Sequence, residues 1–536
     1  MRHETAPTAH LLQALCLFVL ASGCAFDFRH VLNSSSKIAS IGSSGCPNVM
    51  RTLTPFAGGD GSASHPYLIC TAAQFEQISG HMSDSFKLAS DVDMTGATHS
   101  AMGSDTNRFE GTLDGDGYAI KNWTVSSPAQ LDTDPIALFH TIGDNGVVKN
   151  LNLQDFDLEG NNYVAGLAFT IFGEVDEVQA SGHFKSKASV APLATYIRGA
   201  IITHVTSLPG TTVYSSGDGT MLRDYITPGQ GTDMGASGLI SMGNNSPLRR
   251  AQVQDSINYA NVTWNPTGYT LAGWIHTAGI VAYPAFGVDL LRVTNYGDIS
   301  AIDEAGGVAS LFESATMDHA LNFGNIQGRD YIGGLVGWGD WGCSVTNSYS
   351  AGTITGGNAV GGLIGAGHQG LSTQILTSAT YATVRARSGA AGIAGTFYGT
   401  MSDVLAMSSV AGTDPTSDIV AGVTPHSGGT ISRVVMNERQ LSNANSTATS
   451  QALAIFDFWG VTASNNFYIS YSTLPAWTES YSSAIAEASV SDSSQYTGLD
   501  FSASGPWAMG SSTKYFDGST HPIPRWMCAL SGVTCN

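Results

Sequence analysis

The segment Val360-Gly-Gly-Leu-Ile-Gly365 returns in altered form down most of the chain, at nearly constant spacing. Its copies, a glycine or small residue followed by an aliphatic one, centre on Gly166, Leu193, Gly238, Gly279, Gly307, Gly334, Gly362, Gly392 and Gly422. From Gly279 onward the intervals are 28, 27, 28, 30 and 30 residues. A fixed period of this length marks a chain built from stacked, similar units.

Each unit holds strand-like stretches and no helical stripe. Val293-Thr-Asn-Tyr-Gly-Asp-Ile-Ser300 precedes Gly306-Gly-Val-Ala-Ser-Leu-Phe312, with two-residue alternation broken at Gly, Asn and Asp, the pattern of strands and turns. Later units repeat an aromatic, a Gly and an Ile, as in Leu321-Asn-Phe-Gly-Asn-Ile326 and Asn347-Ser-Tyr-Ser-Ala-Gly-Thr-Ile354. The fold class expected is all-β, a right-handed parallel β-solenoid of nine or more rungs. Each rung of ~28 residues supplies three short strands and three turns.

Composition agrees with an elongated all-β chain, since only 12% of 536 residues are charged and 63 are glycine. The formal net charge is -20, from 42 acidic and 22 basic residues. With no basic run, nucleic acid is excluded as a partner on electrostatic grounds.

At the N-terminus, Leu11 to Cys24 is apolar and too short to span a bilayer, so it reads as a signal-peptide core. Leu20-Ala-Ser-Gly-Cys24 resembles the lipobox of bacterial lipoproteins. The resemblance implies cleavage before Cys24, a lipid on its thiol, and a membrane-anchored chain without a transmembrane helix. Ala25 beside Cys24 is similar to the outer-membrane sorting pattern, which implies a bacterial cell-envelope protein exposed at the surface. In an oxidising compartment Cys46 would pair with Cys70 and Cys528 with Cys535, leaving Cys343 as a buried thiol.

Residues 56–153 follow a different grammar, with Gly58-Gly-Asp-Gly-Ser, Thr71-Ala-Ala-Gln-Phe75, Phe109-Glu-Gly-Thr-Leu-Asp-Gly-Asp-Gly117 and Val147-Val-Lys-Asn-Leu-Asn-Leu153. Together with the Val-Gly-Gly-Leu-Ile-Gly repeats, the chain resembles the GLUG-motif proteins, a family of bacterial surface β-solenoids. That resemblance implies surface display and names no reaction. The expected organisation is a signal peptide over 1–23, anchor and tether over 24–55, N-terminal cap and first rungs over 56–153, and repeats over 154–435. A capping region rich in Trp and Tyr follows over 436–536, covering the last rung against edge-to-edge aggregation. Steps of 45 and 41 residues between Leu193, Gly238 and Gly279 place insertions near 208–236 and 244–273.

Linear motifs carry little chemistry. Gly337-Trp-Gly-Asp-Trp-Gly342 fits the spacing of a dinucleotide fingerprint but opens no helix. No cofactor is expected. The paired carboxylates Asp91/Asp93, Asp114/Asp116 and Asp132/Asp134 could hold Ca²⁺, although Asp-Gly turns explain them without a metal. Arg292, Arg329, Arg385 and Arg387 could line one side, as a β-helical polysaccharide lyase or hydrolase would need. The turn after the repeat glycine is richer, with Tyr283, Phe312, Trp338, Trp341, His368, Phe397, Tyr398 and His426. Rings on successive rungs form either a platform for sugars or a packed structural ladder. Trp338, Trp341, His368 and Tyr398 are the ligand-binding candidates. The function expected is a non-catalytic surface adhesin that binds a glycan or protein, with a polysaccharide-cleaving enzyme or a structural envelope spacer as alternatives.

Overall fold

The computed structural model describes residues 46–536 apart from 127–134, 218–233, 247–248, 266–274, 368–372, 415–419, 438–440, 444–452 and 471–481. The signal peptide, Cys24, most of the tether and His368 lie outside the described residues, as do Asp132 and Asp134. The chain winds into a right-handed parallel β-solenoid of about 11 turns, with 54% strand and 6% helix. Among the described residues no helix is long and apolar enough to cross a membrane.

One corner shows why the chain coils so regularly. Asn150, Glu177, His204, Asp255, Arg292, His319, Asn347, Thr377, Asp403, Arg433 and Asn465 all take positive φ, between 45° and 58°. Each bends the chain at one corner of its rung, and the amide of one reaches the following rung, as when Arg292 N donates to Asp318 O at 2.9 Å. On the leading side of this corner Val288–Leu291 buries Val288 and Leu290 while Asp289 and Leu291 turn outward, the two-residue alternation of a sheet with one wet face. Like side chains then stack on like: Ile299 pairs with Ile326, and Ile326 with Ile354.

The repeat glycines serve a second column inside the stack. Asn258, Asn295 and Asn322 are fully buried on consecutive rungs. Asn258 Nδ2 donates to Asn295 Oδ1 at 2.7 Å, and Asn295 Nδ2 donates to Asn322 Oδ1 at 2.8 Å. Ser207 donates to Asn258 at one end, and Ser350 accepts from Asn322 at the other. Any Cβ on Gly238, Gly279 or Gly307 would run into the amide oxygen of Asn258, Asn295 or Asn322 and into the carbonyl of the next repeat glycine. The glycines are therefore required by close approach to this amide ladder, which removes both donors and acceptors from water without leaving them unpaired. Leu193 sits one place out of this column, because Gly166 N donates to Pro192 O and Leu193 N to Leu239 O. Pro192 occupies the glycine slot in that rung.

The recurring Gly and Ile stay in register, but the aromatic does not. Tyr349 pairs with Leu321, two residues before Phe323. The true ring column is Tyr259, Tyr296 and Phe323, stacked at 4.9 and 5.1 Å with planes 7° and 11° apart.

At the N-terminal end a disulfide joins Cys46 to Cys70. Helix Ala72–Phe75 follows, with the Thr71 side chain accepting from Gln74 N, the usual cap of a helix start. The extra residues of the first long step fall mostly between Thr212–Ser215 and Met234–Ser237. Those of the second are shared between two places, from Ile240–Asn244 to Ala251–Gln254 and from Asn261–Trp264 to Ile275–Ala278.

Beyond Val435 the sequence period stops, yet parallel stacking continues. Val435 pairs with Phe467, and Phe467 with Ser483 in Ser483–Ala486. Residues 487–536 then form short 3₁₀ turns and an antiparallel sheet of Trp507–Ser511, His521–Pro524 and Thr534–Cys535, with Cys528 bonded to Cys535. The described contacts of this aromatic module run along the flank of the stack, where the sequence suggested a lid over its end. Trp507, Tyr515, Phe516 and Ile523 pack with Tyr349, Ala379, Leu405, Val435 and Phe467, one residue from each of five rungs. Those five positions form an apolar stripe on the outside of the stack, which the module covers.

Candidate functional site

Across the tight glycine turn, the residue three places before each repeat glycine meets the residue four places after it. His276 and Tyr283 meet this way with ring centroids 4.9 Å apart, and Tyr331 and Trp338 at 4.7 Å. Small residues such as Ala305, Gly306, Gly333 and Gly337 let the two arms of the turn approach this closely. Because the rungs are in register, His276, Glu304 and Tyr331 form one column, each one residue before the paired Thr277, Ala305 and Ile332.

Polar groups rarely buried in a solenoid collect here. His276 Nδ1 lies 3.2 Å from Glu304 Oε2, with both side chains almost wholly out of water. Tyr283 O–H donates to Glu313 Oε2 at 2.7 Å. Arg329 bridges Asp303 and Asp330, each at 3.0 Å. Burial, reinforced by the charges of Asp330, Glu304 and Asp303, raises the Tyr331 hydroxyl pKa and keeps it protonated. A cluster of this kind needs each partner to fix the next, and it concentrates carboxylates beside aromatic faces on three successive rungs.

The four sequence candidates separate in space. Trp338 lies in the strand Val336–Asp340, half-buried against Tyr331. Its neighbours in the column are Leu311 and Ala366, so no continuous aromatic line passes through it. Trp341 stands in the next corner, at φ 51°, and is 57% exposed. Tyr398 lies half-buried in Ala394–Ser402, opposite Gly428. Phe312 and Phe397, from the same turn, are fully buried in the core. His426 is half-buried, and desolvation lowers its pKa.

The arginines do not converge. Arg292 forms a bidentate pair with Asp255 at the left-handed corner, at 2.6 and 2.7 Å. Arg329 belongs to the acidic cluster, and Arg385 and Arg387 project from the long strand Ala379–Ala391. The acidic turns are occupied as well: Asp91 by Lys121, Asp93 by Thr95 and Asn122, Asp114 by Asn150, and Asp116 by Lys87. Among the described residues no group of three or more His, Cys, Asp or Glu is placed to hold a metal ion. Cys343 is a buried thiol, its pKa pushed up to about 12 by desolvation. Sequence reasoning missed His276, Glu304 and Glu313, although each stands three before or six after a repeat glycine.

No family model matches the chain. A protein named as a Gly-rich membrane protein of Evansella cellulosilytica is 35% identical over 134 residues, which is 23% of this chain and 15% of that one. Halomucin of Haloquadratum walsbyi is 28% identical over 143 residues, 24% of this chain and 2% of its own length. Among solved structures, a Bacteroides ovatus protein named as an immunoglobulin A1 protease aligns over 88% of this chain and 96% of its own, at 13% identity and a TM-score of 0.25. An IgA1 protease aligns over 78% of this chain and 23% of its own, at 12% identity and a TM-score of 0.33.

Proposed function

We propose that this chain is a cell-surface solenoid of the GLUG type that binds a glycan or protein partner through its middle rungs and leaves it chemically unchanged. The observation that carries the reading is the convergence of His276, Tyr283, Glu304, Glu313, Tyr331 and Trp338 on three successive rungs. The half-buried Tyr283, Tyr331 and Trp338 offer hydroxyls and aromatic faces to a hydroxyl-rich ligand, and the buried His276, Glu304 and Glu313 hold them in place. In this reading a lipid on Cys24 holds the chain at the bacterial outer membrane, facing outward. The name of the Evansella relative, a membrane protein, supports an envelope location.

A glycan and cell-surface array probed with residues 25–536, coupled to an assay for released oligosaccharide, tests the reading. Binding without release is the expected outcome. Release would favour a polysaccharide-cleaving enzyme, a second reading supported by Glu304 and Glu313, two carboxylates held almost out of water. Neither binding nor release would leave a structural spacer. Recovery of a Cys24→Ser chain in the membrane fraction, undiminished, would remove the lipid anchor from the proposal.

A further inference from the structure

We propose that Phe286 and Trp341 are the two walls of a slot that grips one uncharged sugar ring. The inference rests on the glycan reading above and names where and what kind of glycan is held. The two residues occupy the same outer corner of the solenoid on rungs separated by a single intervening one. In the leading strands Val281 pairs with Ala309 and Glu313 with Asp340, which sets Phe286, Ser314 and Trp341 in one column. Two strand spacings put the aromatic positions about 10 Å apart. A flat ring touched on both faces at carbon contact distances of ~3.5–4 Å fits such a gap.

The corner is built to point these rings outward. From Val281 to Asp289 the chain spans one residue more than from Ala309 to Thr316, although both ends are paired. The same excess separates Asp340 and Ser344 from Glu313 and Thr316. The extra residue makes a two-residue left-handed bend: Phe286 has φ 42° and Gly287 98°, and Trp341 has φ 51° and Gly342 78°. The rung between them turns with Ser314 alone, at φ 46°. A bulky aromatic is a poor choice for a left-handed position, and an inserted residue re-aims its side chain. Ser314 shows that the corner itself needs neither. Phe286 is 47% exposed and Trp341 57%, two of the six large hydrophobic side chains described as exposed. They differ from the Tyr259–Tyr296–Phe323 column, whose stacked rings cover one another's faces and present edges to solvent.

The floor and rim set the ligand class. The Ser314 hydroxyl donates to the Trp341 carbonyl at 2.8 Å, fixing the gap between the walls. Asp289 is taken up by Arg250 in a bidentate pair at 2.9 and 2.7 Å, so the acidic rim of the corner is Glu313 and Asp340, within a chain of net charge -20. Carboxylates accept hydrogen bonds from sugar hydroxyls and repel uronate or sulfate groups. A neutral glycan is thus selected over an acidic one.

The test uses residues 25–536 with mannan and laminarin as neutral probes and polygalacturonate as the acidic one, read by affinity electrophoresis and tryptophan fluorescence. Wild type should be retarded by a neutral polymer and not by polygalacturonate. Phe286→Ala and Trp341→Ala should each weaken retention roughly 5- to 10-fold. Ser314→Trp, which fills the slot, should abolish it, while Tyr381→Ala, an exposed ring elsewhere, should not. Thermal melts confirm that the variants fold. Neutral-glycan binding that survives all three corner variants would overturn the slot and spare the glycan reading. Preference for polygalacturonate would overturn the ligand class, and absence of any glycan binding by wild type, including capture of a protein alone, would sink both.

Discussion

The middle rungs and the C-terminal module are both rich in aromatics, yet they are held in opposite ways. In the middle, Asn258, Asn295 and Asn322 make the same bond to the same kind of neighbour on each rung. Order there is a sum of nearest-neighbour terms. Residues 487–536 instead reach back to the stack through one apolar stripe across five rungs and a few single hydrogen bonds. Trp507 Nε1 donates to Asp403 Oδ1 at 2.9 Å, Trp526 Nε1 to Thr377 O at 2.6 Å, and Tyr349 O–H to Tyr515 O at 2.5 Å. A repeated contact spreads stability along the fold, whereas a single docked face makes a unit that can detach as one.

The largest expected effect breaks the repeated contact. Asn295→Leu takes the partner from one N–H of Asn258 Nδ2, which keeps its bond to Ala260 O, and removes the donor to Asn322 Oδ1 in a dry interior. It should cost about 3–5 kcal/mol, read as a fall in denaturation midpoint. An unchanged midpoint would show that the amide column is incidental. Gly307→Ala comes next, since its Cβ runs into the Gly334 carbonyl and the Asn322 amide. Overpacking of this kind costs ~1–3 kcal/mol, and a stable Gly307→Ala chain would mean that the close approach is not needed.

The detachable unit should show itself in acid. Burial pushes the Asp403 carboxyl up, but hydrogen bonds from Arg433, Ser402 and Trp507 and the Arg433 charge outweigh it and hold the pKa below the ordinary 3.8. A depressed pKa means that the stabilisation is present above 3.8 and is lost as pH falls below it. Tryptophan fluorescence and limited proteolysis should report release of residues 487–536 in that range, with the repeat rungs still resistant. Asp403→Asn should weaken docking at neutral pH and remove the acid step; an acid step that persists in this variant would assign it to another group. The smallest effect is that of Trp341→Ala, which should move the midpoint by under ~0.5 kcal/mol because the ring is exposed. A loss of several kcal/mol would return Trp341 to a structural role.

The stacked units were legible because every rung must solve the same packing problem, so the glycines return every 27 to 30 residues from Gly279 onward. The asparagine column was legible in principle from Ile257-Asn-Tyr259, Thr294-Asn-Tyr296 and Leu321-Asn-Phe323, but the aromatic that follows each Asn matches Tyr349 by type and not by register, since Tyr349 pairs with Leu321. The return of the tail could not be read, since a contact such as Trp526 to Thr377 joins residues 149 apart with no period between them. The candidate site was half visible. Trp338 and Trp341 stood out by type, whereas His276 and Glu304 become partners only once consecutive rungs are laid in register.

Hydrogen exchange resolved to single amides tests the contrast most directly. Gly279, Gly334 and Gly362 donate to the carbonyls of the following rung, and their amides should exchange together, as the slowest class. The amides of Trp507 and Asn536, bonded within the C-terminal module, should open earlier and as a separate unit, and acid should speed the second group alone. Fast exchange at the three glycines, or a single class embracing both groups, would contradict the division of the molecule into a repeating spine and a docked module.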